Sequence, residues 1–185
     1  MIGKTNLQQY NNNIYYPGAS YLQRILWFCI NAFIFKSSLL PSSILKVFIL
    51  RLFGAKVGNN VIIRHQVNIK YPWFLSIGND TWIGEQVWID NLVSVTIGSN
   101  VCLSQGAMLL TGNHDYSKST FDLITGEIVL KNGVWIGAKA IVCPNVCIEE
   151  HSVLTAGSIG NKNMEAYGIY QGNPALRVRD RTIND

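Results

Sequence analysis

Acidic side chains are missing from the first third of this sequence. Residues 1–56 carry six bases (Lys4, Arg24, Lys36, Lys46, Arg51, Lys56) and no Asp or Glu, while the rest holds nine basic and eleven acidic side chains. The two parts have formal charges of +6 and −2. The basic excess lies among apolar residues of helical pattern rather than on a polar face, which excludes nucleic-acid binding. Cysteine is scarce and unpatterned. Cys29, Cys102, Cys143 and Cys147 show no framework spacing, so reduced thiols in a cytoplasmic protein are expected rather than disulfides. Met1–Gly18 is polar and rich in Asn and Tyr, with no basic start, apolar run and cleavage site, and no signal peptide is expected. Long apolar runs are absent too: Ile25–Phe35 is interrupted by Asn31, and a bilayer-spanning helix needs about 20 such residues. With 48% apolar and 14% charged residues in 185, the composition fits one globular domain with a small appended subdomain.

What is present is a count of six. A branched aliphatic residue recurs at Val57, Ile63, Ile69, Ile77, Ile83, Ile89, Ile97, Leu103 and Leu109, then at Ile136, Val142, Ile148 and Leu154. Ile, Leu and Val make up roughly a quarter of an average chain, so chance gives such a series a probability of about 10⁻⁸. The residue four places on is usually small or branched, as at Val61, Thr81, Val93, Ala107 and Ser152, and Gly often follows the first position. Neither the 3.6-residue period of a helix nor the alternation of a strand yields six. A triangular prism does, with a short strand on each side, a turn at each corner and coils stacked ~4.8 Å apart. The expected fold is all-β, a parallel β-helix of about five coils over 57–160.

The interruptions of the repeat carry more information than the repeat. Ile69 to Ile77 and Ile89 to Ile97 each span eight residues, and Leu109 to Ile136 spans twenty-seven. All three fall on the third side of a coil, so one corner is decorated three times, the last time by a protruding loop over 110–133. Long loops on a rigid scaffold tend to be functional. Before the prism, residues 1–56 read as a polar arm and two helices, roughly Ala19–Phe35 and Ser43–Phe53. Pro41-Ser42-Ser43 supplies a stop and an N-cap between them, and Gly54 ends the second. Two readings of this segment stand: a helical cap on the open end of the prism, or a basic apolar surface that also rests on the inner membrane leaflet. Residues 161–185 form an extended segment and a basic tail.

Asn113-His114-Asp115-Tyr116 leads the chain off the prism. His65 and His151 occupy turns of other coils and read as solvated turn residues, whereas His114 opens the longest insertion. With coils of 20 residues, Asp90 lies below Leu110 and Asn91 below Thr111, beside the point where the chain turns out. A histidine oriented by a carboxylate or an amide is the usual general base for a hydroxyl. Asp90, Asn91 and a backbone carbonyl are all candidates to hold its second nitrogen, with Asp115 as further support and Tyr116 as an acceptor contact. Trp135 precedes an inward Ile and should point outward, with Trp82 and Trp88 in the same outward column two coils below. Tryptophans exposed on a prism face imply a face covered by another subunit or a ligand.

Several stretches together carry a resemblance: Asn68-Ile69-Lys70-Tyr71-Pro72-Trp73, Trp88-Ile89-Asp90-Asn91, Thr111-Gly112-Asn113-His114-Asp115-Tyr116, Val134-Trp135-Ile136-Gly137 and Gly172-Asn173-Pro174-Ala175. Over residues 22–181 the chain resembles the hexapeptide-repeat O-acetyltransferases of the maltose and galactoside acetyltransferase group, and most of all the colanic acid and exopolysaccharide branch. The resemblance implies a left-handed β-helix, a homotrimer with sites between neighbouring prisms, acetyl-CoA as co-substrate and no metal. It matches His114 to the catalytic base, Asn91 to an amide at the acceptor site and Trp135 to an aromatic along the pantetheine channel. Ala138 and Ala156 fall where backbone groups face the pantetheine arm, Ala138 with an N–H for the oxyanion. Lys162, Arg177 and Arg179 match basic positions near the CoA phosphates. There are departures: Leu176 stands where a base usually follows Gly-Asn-Pro-Ala, Asn161 replaces a Thr or Ser, and Cys143 replaces a small residue.

The reaction implied is acetyl transfer to a sugar hydroxyl in bacterial polysaccharide synthesis, the acceptor being free, nucleotide-linked or lipid-linked. The alternatives are a nucleotide-sugar amine or serine as acceptor, and a non-catalytic scaffold subunit. A zinc hydratase on the same prism would need three converging histidines, which positions 65, 114 and 151 do not offer. Cys143 and Cys147 make a weak case for an acyl-cysteine route, since neither has an evident base.

Overall fold

Three parallel sheets wind around one apolar column in the computed structural model of the protein, which describes residues 3–184. The first coil consists of β1 (Lys56–Val57), β2 (Ile62–Ile63) and β3 (Asn68–Ile69). The second is β4 (Leu75–Ile77), β5 (Trp82–Ile83) and β6 (Trp88–Asp90), and the third β7 (Val95–Ile97), β8 (Cys102–Leu103) and β9 (Met108–Leu110). A hairpin of β10 (Gly112–His114) and β11 (Leu123–Thr125) then leaves the prism. The fourth coil is β12 (Ile128–Leu130), β13 (Trp135–Ile136) and β14 (Ile141–Val142), and the fifth β15 (Cys147–Ile148), β16 (Val153–Leu154) and β17 (Ile159–Gly160). A sixth turn begins where Met164 bridges Ile148. β18 (Gly168–Gly172) adds to β16 and folds back as antiparallel β19 (Ala175–Asp180). The result is a left-handed parallel β-helix of five full coils and a partial sixth.

The hexad positions make the core. Ile63, Ile83, Leu103, Ile136 and Leu154 stand in register on the second face, all buried. Of the hexad series, Val57 at the open end is half-buried and the others are buried. The corners are tight because stacked turns touch. A Cβ on Gly78 would lie 2.6 Å from the backbone of Gly98 in the next coil, which only glycine avoids.

The structure corrects three expectations. Leu130, six residues before Ile136, is an inward core residue, so Ile128–Leu130 belongs to the prism and the excursion is shorter than 110–133. Val95 rather than Val93 is the buried partner in its coil, because the two-residue insertion shifts the register there. Trp88 does not share a column with Trp82 and Trp135. Six residues carry the chain one side around the prism, so Trp88 sits on the third face opposite Met108, while Trp82 and Trp135 flank Cys102 on the second.

The open end of the first coil is covered by helices. α1 (Tyr21–Ile30) starts at the Ser20 cap and runs into a wider π-type turn over Asn31–Phe35. α2 (Ser43–Leu52) starts at the Ser42 cap, and Gly54 follows with φ +92°. Polar side chains tie both to exposed strand edges. Trp27 Nε1 donates to Ile69 O at 2.9 Å, Asn31 Oδ1 accepts from Ile69 N, and Ser43 Oγ bonds both backbone groups of Ile63. Lys46 is wholly buried and donates to Arg64 O at 2.6 Å; burial holds its pKa below the ordinary lysine value. It therefore satisfies a coil carbonyl and is not part of the basic surface that the sequence suggests.

Leu130→Ala would open a cavity in the column and should cost about 2–5 kcal/mol, read as a lower urea midpoint. Leu176→Ala, on an exposed position, should stay within about 0.5 kcal/mol of wild type.

Candidate active site

All three insertions emerge at the corner between the third and first faces. They hold Pro72-Trp73-Phe74, the 91–94 turn and the hairpin, one above another. Thr111 fastens the root of the hairpin to the coil below. Its Oγ1 donates to Asp90 O at 2.9 Å and accepts from Leu92 N at 2.8 Å, fully buried. His114 ends β10 opposite Leu123.

The imidazole is held by the loop itself. Nδ1 lies 2.9 Å from Phe121 O, so this nitrogen carries the proton and donates, leaving the Nε2 lone pair available. Phe121 has φ +54°, a conformation bulky residues seldom adopt, and its ring stacks on the imidazole at 4.4 Å and 9°. Asp115 is occupied by the turn that follows, its Oδ1 accepting from Ser117 N and Oγ. Those hydrogen bonds, chiefly from the Ser117 hydroxyl, hold its carboxyl below the usual range. Asp122 is lowered as well, by hydrogen bonds from Thr120 and Lys118. Tyr116 is exposed beside this turn.

Of the three candidates to orient the imidazole, a backbone carbonyl does so, and the two side chains are committed elsewhere. Asp90 Oδ1 is 3.0 Å from Lys70 Nζ, facing a cleft of about 380 Å³ between α1 and the first coils. Asn91 is fully buried: its Oδ1 accepts from Tyr71 N at 3.0 Å and its Nδ2 donates to Tyr71 O at 2.6 Å. It clamps one insertion to the next and has no free amide for an acceptor. Phe121 O takes the place expected of either side chain. The N-terminal arm runs along this corner, a feature the sequence reading left as a polar stretch. Asn6 N donates to Ser119 O, Tyr15 Oη to Leu92 O, and Pro17 O accepts from Trp73 Nε1. Tyr10 stands edge-on to His114, with ring centres 5.8 Å apart.

The other expected site residues occupy different corners. Trp135 is half exposed on the second face, its Nε1 donating to Ser104 Oγ at 2.9 Å. Ala138 and Ala156 lie in stacked turns between the second and third faces, where Gly157 N donates to Ala138 O at 2.8 Å. Ala138 N–H has no protein acceptor among the described residues. Lys162 is exposed at the His114 corner two coils further on, and Arg179 is exposed on β19. The three histidines stand at three different corners; His65 pairs with Glu85 at 3.6 Å, and His151 stacks on Tyr167.

No family model matches the chain. WcaF of Escherichia coli K12, named as a colanic acid biosynthesis acetyltransferase, is 36% identical over 166 residues, covering 90% of this chain and 91% of its own. The chain belongs to the hexapeptide-repeat acetyltransferases. Two solved structures share its fold. Acetyltransferase VCA0836 of Vibrio cholerae, complexed with acetyl-coenzyme A, superposes with a TM-score of 0.79 at 22% identity, over 88% of this chain and 91% of that one. Galactoside acetyltransferase in complex with coenzyme A gives 0.73 at 24% identity, over 86% and 80%.

One further residue of this acetyltransferase departs from expectation. Arg177 is engaged by carboxylates of its own chain, Glu165 and Asp180, and Arg181 by the carbonyls of Gly133 and His151, which leaves Lys162 and Arg179 as the tail cations without a protein partner among the described residues. Burial raises the thiol pKa of Cys143 and of Cys147, and the Glu149 carboxylate raises that of Cys147 further, which disfavours an acyl-cysteine route. Asn91→Ala would leave the Tyr71 N–H without its partner, at about 1–3 kcal/mol, and would leave Tyr71 O with Phe74 N alone. It should therefore lower the melting temperature clearly, while the KM for an acceptor changes little in protein that remains folded.

Proposed function

We propose that the protein is an acetyl-CoA-dependent O-acetyltransferase acting on a sugar hydroxyl in bacterial polysaccharide synthesis, whether exopolysaccharide, capsule or O-antigen. It works in the cytoplasm as a homotrimer. The observation that carries the reading is the imidazole of His114, fixed through Nδ1 by Phe121 O so that Nε2 is left as a base. A hydroxyl attacks a thioester only if its proton leaves as the new bond forms. Nε2 takes that proton from the acceptor in a ternary complex, and the imidazolium returns it to the departing thiolate, without an acyl-enzyme. The kinship with WcaF supports a saccharide acceptor, and Tyr116, exposed two residues after His114, is the proposed acceptor contact.

The residues present fit acetyl-CoA. Trp135 offers a half-exposed aromatic surface, and Gly137, Ala138 and Ala156 keep the adjacent turns low. The free Ala138 N–H suits an oxyanion, and Lys162 with Arg179 suits phosphates. Within one prism, however, the Ala138 corner and the His114 corner are a whole side apart, roughly 15–20 Å for an extended stretch of this length. A thioester cannot meet both in one chain. From the second coil on, the outward column of the intervening third face is apolar (Trp88, Met108, Ile141, Ile159), with Asn68 at its start, which supports copies packed head to tail in a closed ring.

His114→Ala should lower kcat by about 10²–10⁴-fold, with trimer size and acetyl-CoA binding unchanged, in a free-thiol assay with a saccharide acceptor. A variant that acetylates at near wild-type rate would contradict His114 as the base.

A further inference from the structure

The helical cap is apolar on both sides. α1 buries Trp27 against the prism, and Ile30 with Ile34 of the following π-type turn packs beside it, but Leu22, Ile25 and Leu26 of α1 and Phe33 of the turn face outward. α2 buries Ile49 and Leu50, and its other side presents Ile44, Phe48 and Leu52. Leu22 is 75% exposed, Phe33 77%, Ile44 85% and Phe48 62%. A helix that is apolar all round is ordinarily covered, and large apolar side chains exposed on both helices of one cap mark an interaction site. No helix among the described residues is long and apolar enough to cross a membrane.

Charge identifies what covers it. The first acid in the chain is Asp80, so eight bases precede any carboxylate in the sequence. Lys36 and Lys56 are exposed, as is Arg51, whose guanidinium also bonds the carbonyls of Val57 and Gly58. The cap itself contains no acid, and Asp90 in the cleft beneath α1 is paired with Lys70, so a second cap packed on this surface would bring like charges together with no acid of either cap to offset them. An anionic surface would instead draw the bases to its headgroups while the apolar stripes enter the acyl boundary, the arrangement of interfacial amphipathic helices. We propose that the outer face of the cap docks on an anionic lipid bilayer, lying in its interface without crossing it. The cap faces away from the coils, so docking leaves the His114 corner free at the side of the prism. The inference does not depend on the catalytic reading.

The test uses the whole protein and co-sedimentation with vesicles of phosphatidylcholine alone or containing about 30% phosphatidylglycerol. At low salt the partition coefficient should be about tenfold or more greater on the anionic vesicles, and it should fall as salt rises because surface attraction is screened within ~8 Å at physiological ionic strength. Phe33→Ser/Phe48→Ser, checked for an unchanged circular dichroism spectrum, should reduce partition about tenfold or more at constant oligomer size. Lys36→Gln/Lys56→Gln should reduce it on anionic vesicles alone. Equal recovery with both vesicle types overturns the proposal. So does a Phe33→Ser/Phe48→Ser protein whose oligomer falls apart, since the face is then covered by another copy of the chain.

Discussion

Each coil of this protein hydrogen-bonds to the next along its whole length, in register. Gly78 N donates to Ile97 O at 2.8 Å, Trp82 N to Val101 O at 2.9 Å and Trp88 N to Ala107 O at 3.0 Å, on three successive sides. Such a ladder tolerates no extra residue within a side, because a slip by one would turn the aliphatic column outward. Added chain is absorbed at corners. Here all of it is absorbed at one corner, which fixes where polar side chains and a long hairpin can project from an otherwise apolar scaffold. The helical cap answers the same constraint at the open end: Trp27, Asn31, Ser43 and Lys46 occupy backbone groups that a preceding coil would have bonded.

The corner is built so that its side chains brace the backbone and its backbone braces the imidazole. Asn91, Thr111 and Tyr15 are spent on carbonyls and amides of neighbouring insertions. The hairpin then stands on a rigid root, and a backbone carbonyl held at an unusual φ sets the direction of His114. A carbonyl is neutral, so it fixes the tautomer without adding a negative charge beside a ring that must accept and release a proton.

The prism, the decorated corner and the helical cap are legible in the sequence because each depends on a periodic or compositional signal. Ile83 and Leu103 announce themselves by spacing, and Ser42 by its place before an apolar helix. Spacing misleads across a discontinuity. Leu130 stands six before Ile136 but lies inside a twenty-seven-residue gap in the hexad series. Trp88 shares the repeat of Trp82 but not its column, since six residues carry the chain to the next face. Which group holds His114 was not legible: the partner is the carbonyl of Phe121, and a main-chain group leaves no mark in residue identity. The clamp made by Asn91 was hidden in the same way, since Tyr71 uses its backbone rather than its ring. Arg177 and Arg179 look alike in sequence, and only the fold shows that Glu165 and Asp180 reach one and not the other.

The central claim is that one active site takes its base from one copy and its thioester groove from the next. Mixed trimers test this most directly. One parent carries His114→Ala, and the other carries Ala138→Trp, which fills the groove and should be inactive alone. Coexpressed in equal amounts, they should form interfaces of which about a quarter combine an intact imidazole with an intact groove from the neighbouring copy. The account predicts that the mixture recovers about a quarter of the wild-type rate. Activity no higher than that of the two parents together would contradict it.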